Sequence, residues 1–377
     1  MSLIVSRPAR RRARFHALVV TDVEQLTDQA VALTLGVPEE LRAEFDFAPG
    51  QHLTLRATLD GIEVRRSYSI CTSRGAYQRT GRLRVASARV LGGVMSNWLN
   101  DHVGEGQSLE VMTPLGGFTV PTEPDRRRHH VAVAAGSGIT PVLSLLTTAL
   151  EEEPDSQVTL IFGNKRADSV MFAEELHGLK NLYPARLSLI TILSQETPDI
   201  ALFAGRIDRA RMSALIRHLV PVDSVDEWYL CGPQPMVTEV QHTLGDHGAD
   251  PAHVHQEIFH VEDVTTAATP VPEMTGVGPR PGDDPAAVLS VTLDGRTTRV
   301  AMATREQSIL DATLRERPDA PFSCTGGICG TCRARVVDGE VRMDRNYALE
   351  PEEVAAGVIL ACQAHPVTDT VSVDYDA

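Results

Sequence analysis

Four cysteines near the C-terminus constrain this chain more than any other feature. Cys324, Cys329 and Cys332 lie in the run PFSCTGGICGTCRARV, and Cys362 lies in VILACQAHP. The spacing is C-x4-C-x2-C, followed by 29 residues before the fourth cysteine. Four soft thiolates complete two tetrahedral irons, and this is the ligand spacing of a 2Fe–2S cluster. Gly326, Gly327 and Gly330 fall between the ligands, where the chain must wrap tightly and aim N–H groups at sulfur. Two other uses of the thiols compete. A zinc site ordinarily shows two C-x2-C pairs, whereas this run holds one. Disulfides need an oxidising compartment, and the sparse use of cysteine elsewhere, at Cys71 and Cys231 alone, suits a reducing cytosol.

A length of 377 residues implies two to three domains. The 35 basic and 50 acidic residues leave a net charge of −15, which disfavours nucleic acid as a partner and suits a soluble cytoplasmic protein. No apolar run reaches the ~18–20 residues of a membrane span. Arg7, Arg10, Arg11, Arg12 and Arg14 have no apolar stretch behind them, so they read as a solvated basic tail and not as a secretory signal.

Three patterned segments follow one another. The first has short alternating strands: FHALVVTDVEQ, AVALTLGV, HLTLRATL, EVRRSYSICTS and GRLRVASARV, with one helix at SNWLND. That is the pattern of an antiparallel barrel. The second alternates strand and helix, with strands HHVAVAA, QVTLIFGN, RLSLITILS and EWYLCG, a helix from Pro141 and another after CGPQPM. This predicts a parallel sheet that binds ligands at the C-terminal ends of its strands. The stretch 265–287 is rich in Pro, Gly, Thr and Asp without a hydrophobic period, and reads as a linker. Beyond it, VLSVTLDGRTTRVAMA predicts a hairpin around Asp294-Gly295, and EQSILDATLRER a helix, before the cysteine loop.

Several motifs lie on these elements. In RRSYSI, Arg66 and Tyr68 share one strand face, offering a phosphate fork and a stacking ring; a surface pair is the plainer reading. GGVMSNWL places two glycines before Ser96 at a helix start, suited to phosphate or simply to capping. GSGITP joins a strand to a helix where a pyrophosphate would sit, although it is not the full G-x-G-x-x-G fingerprint. Cys231-Gly232-Pro233 ends a later strand at the same sheet edge, where a small buried hydrophobe is the alternative role for Cys231.

In this order, over roughly residues 14–377, RSYS, GG-x-x-S, GSGITP, CGPQPM and the cysteine loop resemble the ferredoxin–NADP reductase superfamily with a C-terminal plant-type 2Fe–2S ferredoxin domain. FGNKRADSVMF, FAGRID and VHQEIF are most similar to the reductase subunits of phenylacetyl-CoA epoxidases, with ketosteroid hydroxylase reductases as the nearest rival. The resemblance implies a multidomain fold: an antiparallel β-barrel flavin domain at 14–123, an α/β parallel-sheet NAD(P) domain at 124–262, a linker at 263–287 and a β-grasp ferredoxin domain at 288–377. It implies that Arg66, Ser67, Tyr68 and Ser69 hold FAD, with Ser69 near N5. Gly93 and Ser96 take the FAD pyrophosphate, with Arg89, Gly92 and Met95 beside them. Gly138 and Thr140 receive the dinucleotide. Cys231, Gly232, Pro233 and Glu257 border the nicotinamide, with Ser69, Cys231 and Glu257 forming the hydride-transfer site. The family often has a lysine before the arginine, where this chain has Ala88, and this departure bears on one flavin-phosphate contact.

The implied activity is transfer of electrons from NAD(P)H through FAD and a 2Fe–2S cluster to a separate oxygenase, the diiron component of a phenylacetyl-CoA ring 1,2-epoxidase. A ketosteroid or Rieske-type hydroxylase is the alternative acceptor. FMN is less favoured than FAD. Lys165 and Arg166 after the second strand, with Arg206, suit the 2′-phosphate of NADPH better than NADH, although SQET at 194–197 lacks the arginine that some NADP-using relatives carry. An electron carrier with inactive nucleotide domains and a flavin monooxygenase acting on its own substrate are the competing classes. The intact motifs oppose the first, and the lack of a segment for a substrate pocket opposes the second. His253, His255 and His260 lack the spacing of a metal site. Asp344, Glu350, Glu352 and Glu353 either steer a partner or are solvated.

Overall fold

A computed structural model of the chain describes residues 13–260, 278–279 and 284–377. Arg7, Arg10, Arg11 and Arg12, and most of the expected linker, lie outside the described residues. Among the described residues the chain divides into two compact units, a larger one built on 17–260 and a smaller one built on 284–377.

Among the described residues, the larger unit opens with β1 (Phe15–Thr27), β2 (Ala30–Gly36), β3 (His52–Leu59), β4 (Ile62–Ser69), α1 (Arg74–Thr80), β5 (Arg82–Ala88), α2 (Val94–His102) and β6 (Ser108–Met112). The six strands form one sheet in the order β4-β3-β6-β1-β2-β5. A bridge from Ile70 to Val85 brings the two edges together and closes the barrel. Closure follows from the alternation. Leu18 and Val20, Leu33 and Leu35, Leu53 and Leu55, and Leu83 and Val85 each sit two apart, so each pair points to one face, and all eight are buried in one core.

Element ends depart from the sequence pattern where capping intervenes. The strand expected through Ser73 stops at Ser69 because Ser73 caps a helix, accepting from the Ala76 N–H at 3.2 Å. That helix, α1, ends on Gly81 in the left-handed conformation. β5 ends at Ala88, which leaves Arg89 in the following loop, and α2 begins at Val94, two residues before Ser96. β6 extends the expected barrel pattern, with Leu109 and Val111 buried on alternate positions.

The same unit continues with β7 (His129–Ala135), α3 (Ile139–Glu152), β8 (Gln157–Asn164), α4 (Ala173–Leu182), β9 (Leu187–Leu193), α5 (Arg209–His218), β10 (Glu227–Pro233), α6 (Gln234–Asp246) and β11 (Val254–His260). These strands form a sheet in the order β11-β10-β7-β8-β9, parallel throughout. Val131, Ala132, Val133 and Ala134 are all fully buried, as expected of a central strand covered on both faces. The chain runs outward from β7 to β9 and then returns to β10 on the other side of β7. The crevice at the ends of β7 and β10 is therefore the topological switch point, where open α/β sheets bind ligands. Two details differ from the sequence pattern: α3 starts at Ile139, placing Pro141 inside its first turn, and β11 adds a fifth strand.

The smaller unit contains β12 (Ala287–Leu293), β13 (Arg296–Met302), α7 (Ile309–Glu316), β14 (Arg333–Asp338), β15 (Val341–Met343), α8 (Pro351–Ala355), β16 (Val358–Leu360), β17 (Ala364–Pro366) and β18 (Thr370–Asp374). Its main sheet has the order β13-β12-β18-β14-β16, with β12 and β18 parallel and the remaining neighbours antiparallel. Asp294 and Gly295 both have positive φ (56° and 68°), as a type I′ hairpin turn requires. Ser308 caps α7 by accepting from the Asp311 N–H at 3.1 Å, and Ile309, Leu310, Ala312 and Leu314 face the core. The helix is shorter than the pattern suggested because the cap lies at Ser308, leaving Glu306 and Gln307 outside it.

Candidate flavin, nicotinamide and cluster sites

β4 carries RSYS along its full pairing with β3, in which Arg66 faces Leu55, Ser67 faces Thr54, Tyr68 faces Leu53 and Ser69 faces His52. Arg66 and Tyr68 are half-buried, with the Arg66 guanidinium donating to Arg65 O at 2.7 Å. Burial raises the pKa of the Tyr68 phenol, so this ring stays neutral. Helix α2 packs beside β4 and β5. Its N-cap is Gly93, and Ser96 Oγ accepts from the Val90 N–H at 3.2 Å, which folds the loop 90–93 back over the helix start. The first N–H groups of α2 have no carbonyl partner within the helix, the arrangement that suits an anion. Met95 is buried in the barrel core, and the Arg89 guanidinium lies 2.6 Å from Asp101 of α2.

At the switch point the turn after β7 packs directly against the backbone of β10. A Cβ on Gly138 would stand 2.3 Å from Cys231 O, so only glycine fits there. The Thr140 hydroxyl donates to Ser137 O at 2.9 Å, tightening the turn into α3. Cys231 pairs across the sheet with Ala134 on one side and Glu257 on the other. Its thiol is fully buried. Burial, and then the Glu257 charge, push its pKa well up, so it remains a neutral thiol. Ser69 Oγ donates to Glu257 Oε2 at 3.3 Å. The last residue of the RSYS strand thus meets the edge strand of the nucleotide sheet, one strand away from Cys231. Ser69, Cys231 and Glu257, which lie far apart in sequence, are brought together.

The basic corner expected after β8 is less basic than its sequence. Lys165, Arg166 and Arg206 are exposed. Arg166 pairs with Asp168 at 3.1 Å, and Glu196 accepts the Ala167 N–H at 2.8 Å, which places a second carboxylate beside the turn. Gln195 N donates to Lys165 O at 2.8 Å, so the SQET segment lies against this turn. Neither Lys165 nor Arg206 has an ion-pair partner among the described residues. His253 and His255 are bound to Glu227, at 3.3 and 2.9 Å.

In the smaller unit the four cysteine thiols converge. The neighbouring thiols, Cys329 foremost for Cys324 and Cys362 foremost for Cys332, together with burial push the Cys324 and Cys332 thiols well above their ordinary range. Cys332 and Cys362 are buried, whereas Cys324 and Cys329 are half-buried. Backbone N–H groups point at sulfur: Gly326 N and Cys329 N at Cys324 Sγ (3.4 and 3.3 Å), and Thr331 N at Cys329 Sγ (3.5 Å). Among the described residues, no three His, Cys, Asp or Glu side chains gather as a ligand group for a single metal ion. Four convergent thiols, two of which accept backbone N–H groups, fit a binuclear cluster, which needs two protein sulfurs per iron.

Comparison with known proteins agrees with this geometry. The oxidoreductase FAD-binding domain family matches residues 17–120, the oxidoreductase NAD-binding domain family residues 132–242, and the 2Fe–2S iron–sulfur cluster binding domain family residues 291–367. The chain is 42% identical to one component of the 1,2-phenylacetyl-CoA epoxidase of Escherichia coli K12, over 96% of this chain and 98% of that protein. It is 35% identical to the ferredoxin reductase component of 3-ketosteroid-9-alpha-monooxygenase of Rhodococcus rhodochrous, over 95% and 96% respectively. The structure of phthalate dioxygenase reductase shares its fold, with a TM-score of 0.57 and 21% identity over 96% of this chain and 98% of that one. The chain belongs to the family of oxygenase reductase components that carry an FAD-binding, an NAD-binding and a 2Fe–2S domain on one polypeptide.

Proposed function

We propose that this reductase takes electrons from NADPH and delivers them to the diiron component of a phenylacetyl-CoA epoxidase in the cytoplasm. When bound, the flavin accepts a hydride from the nicotinamide, and the 2Fe–2S cluster passes electrons on singly. The observation that supports the reading is the hydrogen bond of Ser69 to Glu257 beside Cys231, which links the RSYS strand to the crevice at the switch point.

The chain's own residues would act as follows. Arg66 and the N-terminus of α2 bind the flavin phosphates, and Tyr68 stacks on the flavin. Ser67, Arg89 and Gly92 border the flavin, and Met95 supports the loop from the barrel core. Ser69 orients the reactive edge of the flavin, and Glu257 holds the Ser69 hydroxyl. Gly138, Thr140, Gly232 and Pro233 admit the dinucleotide to the crevice, and the neutral Cys231 thiol packs against it without adding charge. Lys165, Arg166 and Arg206 attract the 2′-phosphate. Cys324, Cys329, Cys332 and Cys362 would hold the cluster, and Cys324 and Cys329 are the two less buried of the four.

Identity over nearly the whole length of the Escherichia coli protein supports the epoxidase as acceptor. The two cysteines outside the cluster loop, Cys71 and Cys231, are free thiols, which suits a reducing compartment. The test is reconstitution: this protein, NADPH and a purified diiron epoxidase component should oxidise phenylacetyl-CoA. Turnover with a ketosteroid hydroxylase component, and none with the epoxidase, would move the assignment to that acceptor.

A further inference from the structure

We propose that Gln363, the residue after the fourth cysteine, is a positioning residue that ties the two ends of the cysteine loop together and sets the reduction potential of the cluster through the Cys362 sulfur. Gln363 Nε2 donates to Thr325 O at 2.8 Å, and lies 3.1 Å from Cys362 O and 3.8 Å from Cys362 Sγ. All three neighbours are acceptors, so the amide must turn its NH2 end toward them. One N–H serves Thr325, and the other is shared by the carbonyl and sulfur of Cys362.

The Thr325 end needs such a hold. Thr325 follows ligand Cys324 with φ of 53°, a left-handed conformation that costs a β-branched residue free energy and persists only where the surroundings enforce it. Its hydroxyl bonds Cys324 O at 2.8 Å, and Gln363 holds its carbonyl. The stem of Gln363 is fixed as well. A Cβ on Gly327 would stand 3.1 Å from Gln363 Cγ, so the glycine leaves the side chain its channel. The backbone is pinned by Gln363 N to Leu360 O at 2.9 Å and by Asp344 N to Gln363 O at 3.0 Å.

A donor aimed at a ligand sulfur stabilises the more negative, reduced cluster and raises its potential. The N–H groups of Gly326, Cys329 and Thr331 that point at the Cys324 and Cys329 sulfurs belong to the backbone, and a side-chain change does not remove them. The Gln363 amide is a side-chain donor among them.

The experiment is EPR-monitored potentiometry of the whole protein, with the flavin midpoint as internal reference. Gln363→Met keeps length and volume but removes the donor, and should move the cluster midpoint to more negative potential while the flavin midpoint stays put. Gln363→Glu, which places an acceptor there, should move it further in the same direction. A cluster midpoint unchanged or more positive in cluster-loaded Gln363→Met overturns the proposal. Pulsed EPR of the reduced native protein, labelled with 15N in the glutamine side-chain amide, requires no variant to fold. A 15N coupling to the cluster supports the contact, and its absence overturns it.

Discussion

Ser69 Oγ donates to Glu257 Oε2 at 3.3 Å, linking the end of a barrel strand to the edge strand of the parallel sheet across 188 positions of sequence. The bond joins the barrel to the parallel sheet within the larger unit, at the proposed hydride-transfer site, and it makes the alignment of those halves testable through either partner.

Ser69→Ala removes the hydroxyl without changing the barrel core. We expect the rate of flavin reduction by NADPH, measured by anaerobic stopped-flow, to fall about 10²-fold. Glu257→Gln retains an acceptor and should fall less than Glu257→Ala. Equal rates for Ser69→Ala and the native protein would remove Ser69 from the site.

Cys324→Ser tests the division of labour between the units. Cluster-dependent reduction of an external one-electron acceptor should be lost, while flavin reduction by NADPH proceeds at the native rate. Equal loss of both would contradict separate sites.

The corner after β8 gives a prediction on the nicotinamide. Lys165 has no ion-pair partner among the described residues, whereas Arg166 shares its charge with Asp168. Lys165→Ala should therefore lower kcat/KM for NADPH about tenfold with little effect on NADH, and Arg166→Ala should cost less. Native kcat/KM higher for NADH than for NADPH would refute the preference.

The buried network at the other end of the same sheet predicts acid sensitivity. Arg128 and His130 both bind Glu153, with His130 Nε2 2.8 Å away, and all three are at most 5% exposed. Tyr229 bonds His130, and Glu227 approaches Arg128 to 3.9 Å. Burial alone would raise the Glu153 pKa, but the hydrogen bonds from His130 and Arg128 outweigh it and hold the carboxylate far below its ordinary range. A depressed carboxylate pKa contributes stability that is fully present above the unfolded-state value and lost as pH falls below it. Chemical denaturation should show stability dropping below about pH 4.5, the ordinary glutamate value. Glu153→Gln should cost about 3–5 kcal/mol at neutral pH and flatten that decline.

Much of this was legible in the sequence because the governing signals are local. The four-cysteine spacing, the buried run HHVAVAA and the Asp294-Gly295 turn each carry their own physics, and the structure has them where the patterns indicated. The signals for α1 are also present, in the Ser73 cap and Gly81, but strand alternation through RRSYSICTS obscured them. What sequence could not give depends on tertiary register. Nothing local in SQET places Glu196 against the Ala167 N–H, and nothing local in CQAHP places Gln363 on the carbonyl of Thr325. Resemblance alone brought Glu257 into the site, and only the pairing of β10 with β11 gives it a physical reason to be there.

The central claim is that one chain carries electrons from a nicotinamide through a flavin to an iron–sulfur cluster. The most direct test is the visible spectrum of anaerobically purified protein before and after NADPH. The account predicts flavin absorption together with a broad sulfur-to-iron shoulder, both bleached on addition of NADPH. Bleaching of the flavin in protein whose cysteine site shows no iron–sulfur absorption would contradict it and leave a simple flavin reductase.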